Sequence, residues 1–312
     1  MSYSTVKSKC ISGAPNSAAG LRLHLVLIIV TLGLASNLAN SYSPSYFPPD
    51  VSARSHGVEQ SSAIKSRHSH RLLKSAPIHY LVYGTAAEPF QITSADGLSS
   101  GFITDIVDEV FEQSDIALTP VMKPIKRIKR EMIQGEAKRW IAYALRSWKS
   151  EGVWGDTTFA SVDLLQYHLS LGYKKVSGEV ELPRLKDSGV VWIQGFRYPG
   201  ANEFSDRYGF QFQRVKNHLA MLKMVEAGRT QFFMEHAPRM RHVMKQLDID
   251  SDRYGFYSLE DQIPPTQITL LMSNDLGDEV IDFVNRRLLA MKESGRILEL
   301  ARRYKLVPGQ SI

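Results

Sequence analysis

The chain is 312 residues long, 43% hydrophobic and 22% charged, ordinary figures for a soluble globular protein of one or two domains. Its net charge of +6 is not a nucleic-acid footprint: of 38 basic and 32 acidic residues, 8 and 2 precede Pro77, which leaves 30 of each beyond it. A nucleic-acid partner needs that excess as a patch on the folded body, so none is expected; the single cysteine, Cys10, excludes disulfides, Cys-ligated metals and a thiolate nucleophile from everything after it.

Leu25 to Ala35 (LVLIIVTLGLA) is the only strongly apolar run, preceded by Arg22 and His24 and followed by the small residues Ser36 and Ala39. This is the layout of a secretory signal peptide, and the run falls short of the roughly 20 apolar residues of a membrane span. Residues 1–40 are therefore expected to be a signal peptide, cleaved after Ala35 or Ala39 or retained as an anchor. Residues 41–76, rich in Ser, Pro and His without a period, read as a flexible linker.

Ile78 to Tyr83 alternates polar and apolar and stops at Gly84, a first strand. Asp96-Gly97 marks a tight turn. Ile103, Ile106, Val107, Val110 and Phe111 share one face of a helix whose early turns carry Asp105, Asp108 and Glu109, as the helix dipole favours. Ala117 to Met122 is a short strand, and Pro124 opens a second helix closed by Gly135, with Lys126, Arg127, Lys129 and Arg130 spread around it as a solvated surface. Trp140 to Leu145 (WIAYAL) is a buried strand that breaks into a polar cluster, Arg146 to Glu151. The order β-α-β-α-β implies a parallel sheet with right-handed crossovers.

Leu164 to Tyr173 is a long β-like run leading away. A second, smaller unit follows: a strand at Val190 to Ile193, its loop Gly195 to Gly200, an amphipathic helix from Val215 to Ala227, a short strand Gln231 to Met234, and a helix entered through Glu235 to Arg239. Pro264 to Met272 is a further strand, and helices at Asp278 to Ser294 and Arg296 to Tyr304 end the body. Two α/β units and two extended crossings predict two lobes joined by a pair of hinge strands around a cleft.

Several local stretches resemble the bacterial periplasmic solute-binding proteins of the family 3, type II, amino-acid-binding class. They are Glu88-Pro89-Phe90 after the first strand, Gly97 to Asp105 (GLSSGFITD), Lys126-Arg127 through Gly135, Trp154-Gly155, Gly228-Arg229, and the run from Pro264 to Leu306. The chain departs from the family's pattern at Glu136 to Trp140, which lack its Asp, at Gln231 in place of another Asp, and at Arg146 to Lys149, which only loosely match its Thr-x-x-Arg segment. These departures bear on the ligand more than on the fold. The resemblance implies an α/β fold of two lobes with two hinge strands, and a division into 77–168 for the first part of lobe 1, 169–262 for lobe 2 and 263–312 for the return. It also implies a monomer exported to the periplasm that captures a small polar solute, amino-acid-like or another charged metabolite, for an ABC-type membrane permease or for a sensor.

In open α/β sheets ligands bind outside the carboxyl ends of the strands, and the candidate ligand-binding residues are taken from there. Arg146 offers a guanidinium fork for a carboxylate, with Ser147 and Lys149 as further donors. Glu88 and Phe90 supply an acceptor suited to an ammonium and an apolar wall; Arg197, Tyr198, Glu235 and His236 face them from the second unit. In the resemblance, His236 falls near the family's ammonium-binding Asp. No hydrolase, zinc, Walker or dinucleotide motif occurs, so no cofactor and no enzymatic activity are expected. Alternatives are a dehydratase-like enzyme using Glu88 or Glu235 as a cleft acid, and a tethered sensor module without a transporter.

Overall fold

The computed structural model describes residues 76–112, 114–151, 154–175 and 185–307 of the chain, and two large β-sheets and a separate two-stranded hairpin organise those residues. The expected signal peptide, and the expected linker up to residue 75, lie outside the described residues. Among those residues no helix is long and apolar enough to cross a membrane.

The first large sheet begins with β1 (Ile78–Val82); in the chain a hairpin that forms its own small sheet, β2 (Ile92–Ser94) and β3 (Gly97–Ser100), and helix α1 (Phe102–Phe111) follow it. Next come β4 (Leu118–Met122), α2 (Ile125–Ile133), β5 (Trp140–Leu145), β6 (Thr157–Phe159) and β7 (Leu165–Tyr167). β1 pairs parallel with both β4 and β5, as the β-α-β-α-β order requires. β5 is buried at all six positions, the mark of a strand covered on both faces.

The chain then crosses to the second sheet, made of β8 (Ser170–Lys174), β9 (Gly189–Ile193), β10 (Gln211–Val215), β11 (Phe232–Glu235) and β12 (Tyr254–Ser258), in the order β10-β9-β11-β8-β12. Its helices are α3 (Ala201–Tyr208), α4 (His218–Glu226) and α5 (Ala237–Gln246). The chain returns through β13 (Thr266–Ser273), which pairs antiparallel with β5, β6 and β7 in the first sheet, and ends in α6 (Asp278–Glu293) and α7 (Arg296–Arg303).

Several details differ from the sequence reading. The run from Leu164 to Tyr173 is two strands in two sheets, broken at His168 and Leu169. The crossing segments are therefore this short break and the stretch between β12 and β13, while β13 itself stays inside the first sheet. Val215 ends β10 rather than opening a helix; α4 starts after Asn217, whose side chain caps it by accepting from Ala220 N at 2.9 Å. The α3 helix and strands β10 and β12 add elements with weak patterns, since α3 buries only Ala201 and Phe204 and β10 buries none of its five residues.

The returning helices pin α1. Arg296 grips Glu109 with contacts at 2.6 and 3.0 Å, and Tyr304 Oη accepts from Gly101 N at 3.0 Å and donates to Asp105 at 2.8 Å. Gly101 sits at φ +134, and a Cβ there would stand 2.5 Å from Phe90 O. That close approach lets Phe102 N and Ile103 N at the head of α1 donate to Pro89 O and Phe90 O, at 3.0 and 2.9 Å. Gly101→Ala is therefore expected to cost at least about 2 kcal/mol. Gly84→Ala, also at positive φ but with nothing within 4 Å, should cost about 1 kcal/mol. Urea unfolding of the two variants checks the order, and equal losses would contradict the backbone contact.

Candidate functional site between the two sheets

Strand ends from both sheets converge on the gap between them. Beyond β1, the Gln91 side chain extends the strand by one rung, donating to Leu81 O at 2.9 Å and accepting from Tyr83 N at 3.0 Å. Together with the bonds from α1, this fixes the turn and drives Phe90 inward, where it is fully buried. Tyr143 of β5 packs edge-on against Phe90 and Tyr83, with ring centroids at 5.6 and 4.9 Å. β7 contributes Tyr167, the loop after β9 contributes Phe196 and Tyr198, and β11 ends in Glu235.

Glu235 has no exposed surface. Its Oε1 accepts from Tyr167 Oη at 2.6 Å and His236 N at 2.8 Å; its Oε2 accepts from Tyr198 Oη at 2.9 Å and lies 3.3 Å from His218 Nε2. Burial alone would raise this carboxyl, but Arg239 and hydrogen bonds from His218 and Tyr167 outweigh it and hold Glu235 far below the usual carboxylate range. It also sits just ahead of α5, where the helix dipole favours a negative charge.

Arg239, in the first turn of α5, is four residues after Glu235, and its Nη1 lies 3.5 Å from Glu235 Oε1. The guanidinium carbon sits 4.5 Å from the centre of the Phe90 ring, 5.9 Å from Phe196 and 6.0 Å from Tyr167. Next to it, the His236 ring stacks on Tyr167 at 4.7 Å and meets His168 edge-on at 5.4 Å. Burial, reinforced by Arg239, lowers the His236 pKa to about 3, so the ring is neutral. Arg239 Nε and His236 Nδ1 are buried without a hydrogen-bond partner among the described residues. A cavity of about 10 Å³ between Phe90, Tyr143, Tyr167 and Arg239 has room for one water at most.

Outward from this cluster the gap widens. One groove of about 620 Å³ runs between Lys126 and Lys129 of α2 and the loop that carries Arg197 and Tyr198. A second, of about 420 Å³, lies beside Tyr83, Met122 and Lys216. These volumes are in the range of small-molecule sites.

Of the residues expected to form the site, Phe90, Tyr198, Glu235 and His236 meet in the buried cluster. Glu88 lies beside it, where burial raises its carboxyl against a hydrogen bond from Gln246 and the nearby His218. Arg197 is at the rim and accepts from Trp148 Nε1 through its carbonyl at 3.1 Å. Ser147 lines a minor cavity with Tyr167 and Tyr198. Arg146 is turned away, ion-paired with Asp163 and donating to Ala160 O at 2.7 Å, and Lys149 is on the surface. Sequence reasoning missed Tyr143, Tyr167, His218 and Arg239. Only the i,i+4 spacing of Glu235 and Arg239 hinted at the last of them.

No protein-family model matches the chain, and no curated protein matches it. Solved structures are similar to it in fold. An ABC uptake transporter substrate-binding protein from Streptococcus pneumoniae with bound histidine is 13% identical, with a TM-score of 0.59, over 78% of this chain and 96% of that one. The GluR0 ligand-binding core in complex with L-glutamate is 14% identical, with a TM-score of 0.59, over 74% and 99%. A solute receptor for L-cysteine of Neisseria gonorrhoeae is 14% identical, with a TM-score of 0.57, over 76% and 92%. The fold is thus the two-lobe, type II periplasmic-binding-protein fold.

The cluster's charges make stability depend on pH. His236 takes up its proton near pH 3 when folded and near 6.5 when unfolded, so between those values the unfolded chain holds the extra proton. Stability is complete above that window and falls with declining pH through it, by up to about 1.4 kcal/mol per unit. His242 is lowered in the same sense, and Glu235 steepens the loss below 4.5. His236→Gln should reduce the slope between pH 6.5 and 4.5 in urea-unfolding midpoints; an unchanged slope contradicts the assignment. Glu235→Gln, which leaves Arg239 buried without its counter-charge, should cost about 3–5 kcal/mol.

Proposed function

We propose that the protein is a solute-binding protein. Its two lobes, 77–168 with 263–312 and 169–262, close by a hinge motion on a small polar solute, and the closed form serves a membrane permease or a sensor. The observation that carries this reading is the convergence of Phe90 and Tyr143 from one sheet with Tyr198, Glu235 and Arg239 from the other. Sheets linked, among the described residues, by two crossings can hinge, and a polar cluster at their junction makes closure depend on what occupies the gap.

In this reading Phe90, Arg197, Tyr198 and His236 wall the solute. Glu88 and Glu235 suit a cationic group, and Arg146, Ser147 and Lys149 are donors for an anionic one once Asp163 releases Arg146. Amino-acid-like solutes carry both groups. The similar structures with bound histidine or L-glutamate lend this reading their fold. The chain works as a monomer in the periplasm, exported by residues 1–40, and binds without turnover or cofactor.

A thermal-shift screen of amino acids, polyamines and small organic acids tests the reading. At a hundredfold excess over Kd a solute adds about 2.7 kcal/mol, so at least one should raise Tm by about 5 °C or more, with the solute recovered unchanged. Silence across the panel, or product formation, contradicts it. Arg146→Ala should remove the shift of an anionic solute while leaving the solute-free Tm nearly unchanged, because its pair with Asp163 is partly exposed.

A further inference from the structure

We propose that the junction of the lobes contains a cation site of guanidinium type, and that the protein's own Arg239 occupies it in the closed form as an internal stand-in for a solute. The proposal deepens the solute-binding reading, and rests on it only for the last step, displacement by a solute.

The walls of the site are those of a cation receptor. Phe90, Phe196 and Tyr167 put ring centres 4.5 to 6.0 Å from the guanidinium carbon, within the distance at which ring faces attract a cation, and a desolvated site strengthens that attraction. Tyr143 turns its hydroxyl toward the same group, and Glu235 supplies the negative charge. The rings come from both lobes: Phe90, Tyr143 and Tyr167 belong to the first sheet or its loops, Phe196 to the second. A cation in this position therefore holds the lobes together.

Satisfying Glu235 does not require Arg239. The carboxylate already receives Tyr167, Tyr198 and the His236 amide, with His218 at 3.3 Å. The Arg239 contact to it is the longest of the set at 3.5 Å, and Arg239 Nε has no partner. A guanidinium normally fixes itself through a rigid fork of donors; here it is retained by ring faces and net charge. Those forces do not depend on the group being attached to α5, so a free planar cation of the same size fits the same box. The tether also gives the site a direction of release. Glu235 and Arg239 share the junction of β11 and α5 and move together, whereas the contacts to Phe90 and Tyr143 cross to the other lobe and break when the lobes part. The residue is then a latch that closes the solute-free protein, and an alkylguanidinium or alkylammonium solute is the class that would replace it.

The test is chemical rescue. Full-length Arg239→Ala should melt about 5 °C or more below the native chain, and methylguanidinium at about 10 mM, a fragment-level affinity, should restore at least half of that loss. Methylurea, planar and of similar size but neutral, should not, and methylguanidinium at the same concentration should shift the native chain less than the variant, because the tethered Arg239 competes for the site. Arg239→Gln, which keeps a planar side chain, repeats the test should the alanine variant fail to fold. Small-angle scattering of the native solute-free chain needs no variant and should match the closed form. Failure of methylguanidinium to rescue either variant that folds, equal rescue by methylurea, or an open native form overturns the proposal. Rescue combined with silence in the solute panel leaves the cation site standing and removes the transport reading; a panel hit without rescue does the reverse.

Discussion

A carboxylate with no access to water is the constraint around which the junction of the two lobes is arranged. An isolated buried charge of this kind is unfavourable by several kcal/mol or more, so Glu235 exists as an anion only because its surroundings answer it. Two phenols, a backbone amide, an imidazole and a guanidinium do so. Their origin gives the cluster its meaning. Tyr167 comes from the last strand of the first sheet before the chain crosses; Tyr198, His218 and Arg239 come from the second lobe. The charge is satisfied in full only when the lobes are together, which couples the electrostatics of one residue to the conformation of the whole molecule.

The aromatic residues supply the other half of that coupling. Phe90 is placed by backbone bonds from α1 and by the Gln91 side chain, and α1 is pinned in turn by Arg296 and Tyr304 from the returning helices. The end of the chain therefore helps position a ring at its centre. That ring is the surface on which Arg239 lies, so the return through β13 does more than complete a sheet. The two grooves beside the cluster adjoin one another at Lys126, Gln194 and Phe196 and carry basic residues on both walls.

Much of this architecture was legible in the sequence. The β1, α1 and β5 segments have clean periods or continuous apolar runs because their buried faces are unambiguous. The split of β7 from β8 was not legible, since His168 and Leu169 carry no turn signature and the apolar pattern runs on through them. At the site, the strand-end rule led to Phe90, Tyr198, Glu235 and His236, because topology alone decides which residues stand at a sheet's edge. It also led to Arg146, whose nearby partner Asp163 comes from a loop that no local pattern places. Arg239 escaped because it lies inside a helix, and Tyr143 and Tyr167 because a tyrosine in a strand reads as core until its hydroxyl is seen to face a charge.

The most direct test of the central claim, that the buried charge cluster holds the lobes together, is the distance between them. Spin labels at the exposed Ile133 and Leu247, one on each lobe, in a chain with Cys10 replaced by Ser, report that distance by pulsed dipolar spectroscopy. The account predicts one narrow distribution for the otherwise native, solute-free chain, and a broader, shifted one when Glu235→Gln removes the charge. Identical distributions for the two chains would contradict it.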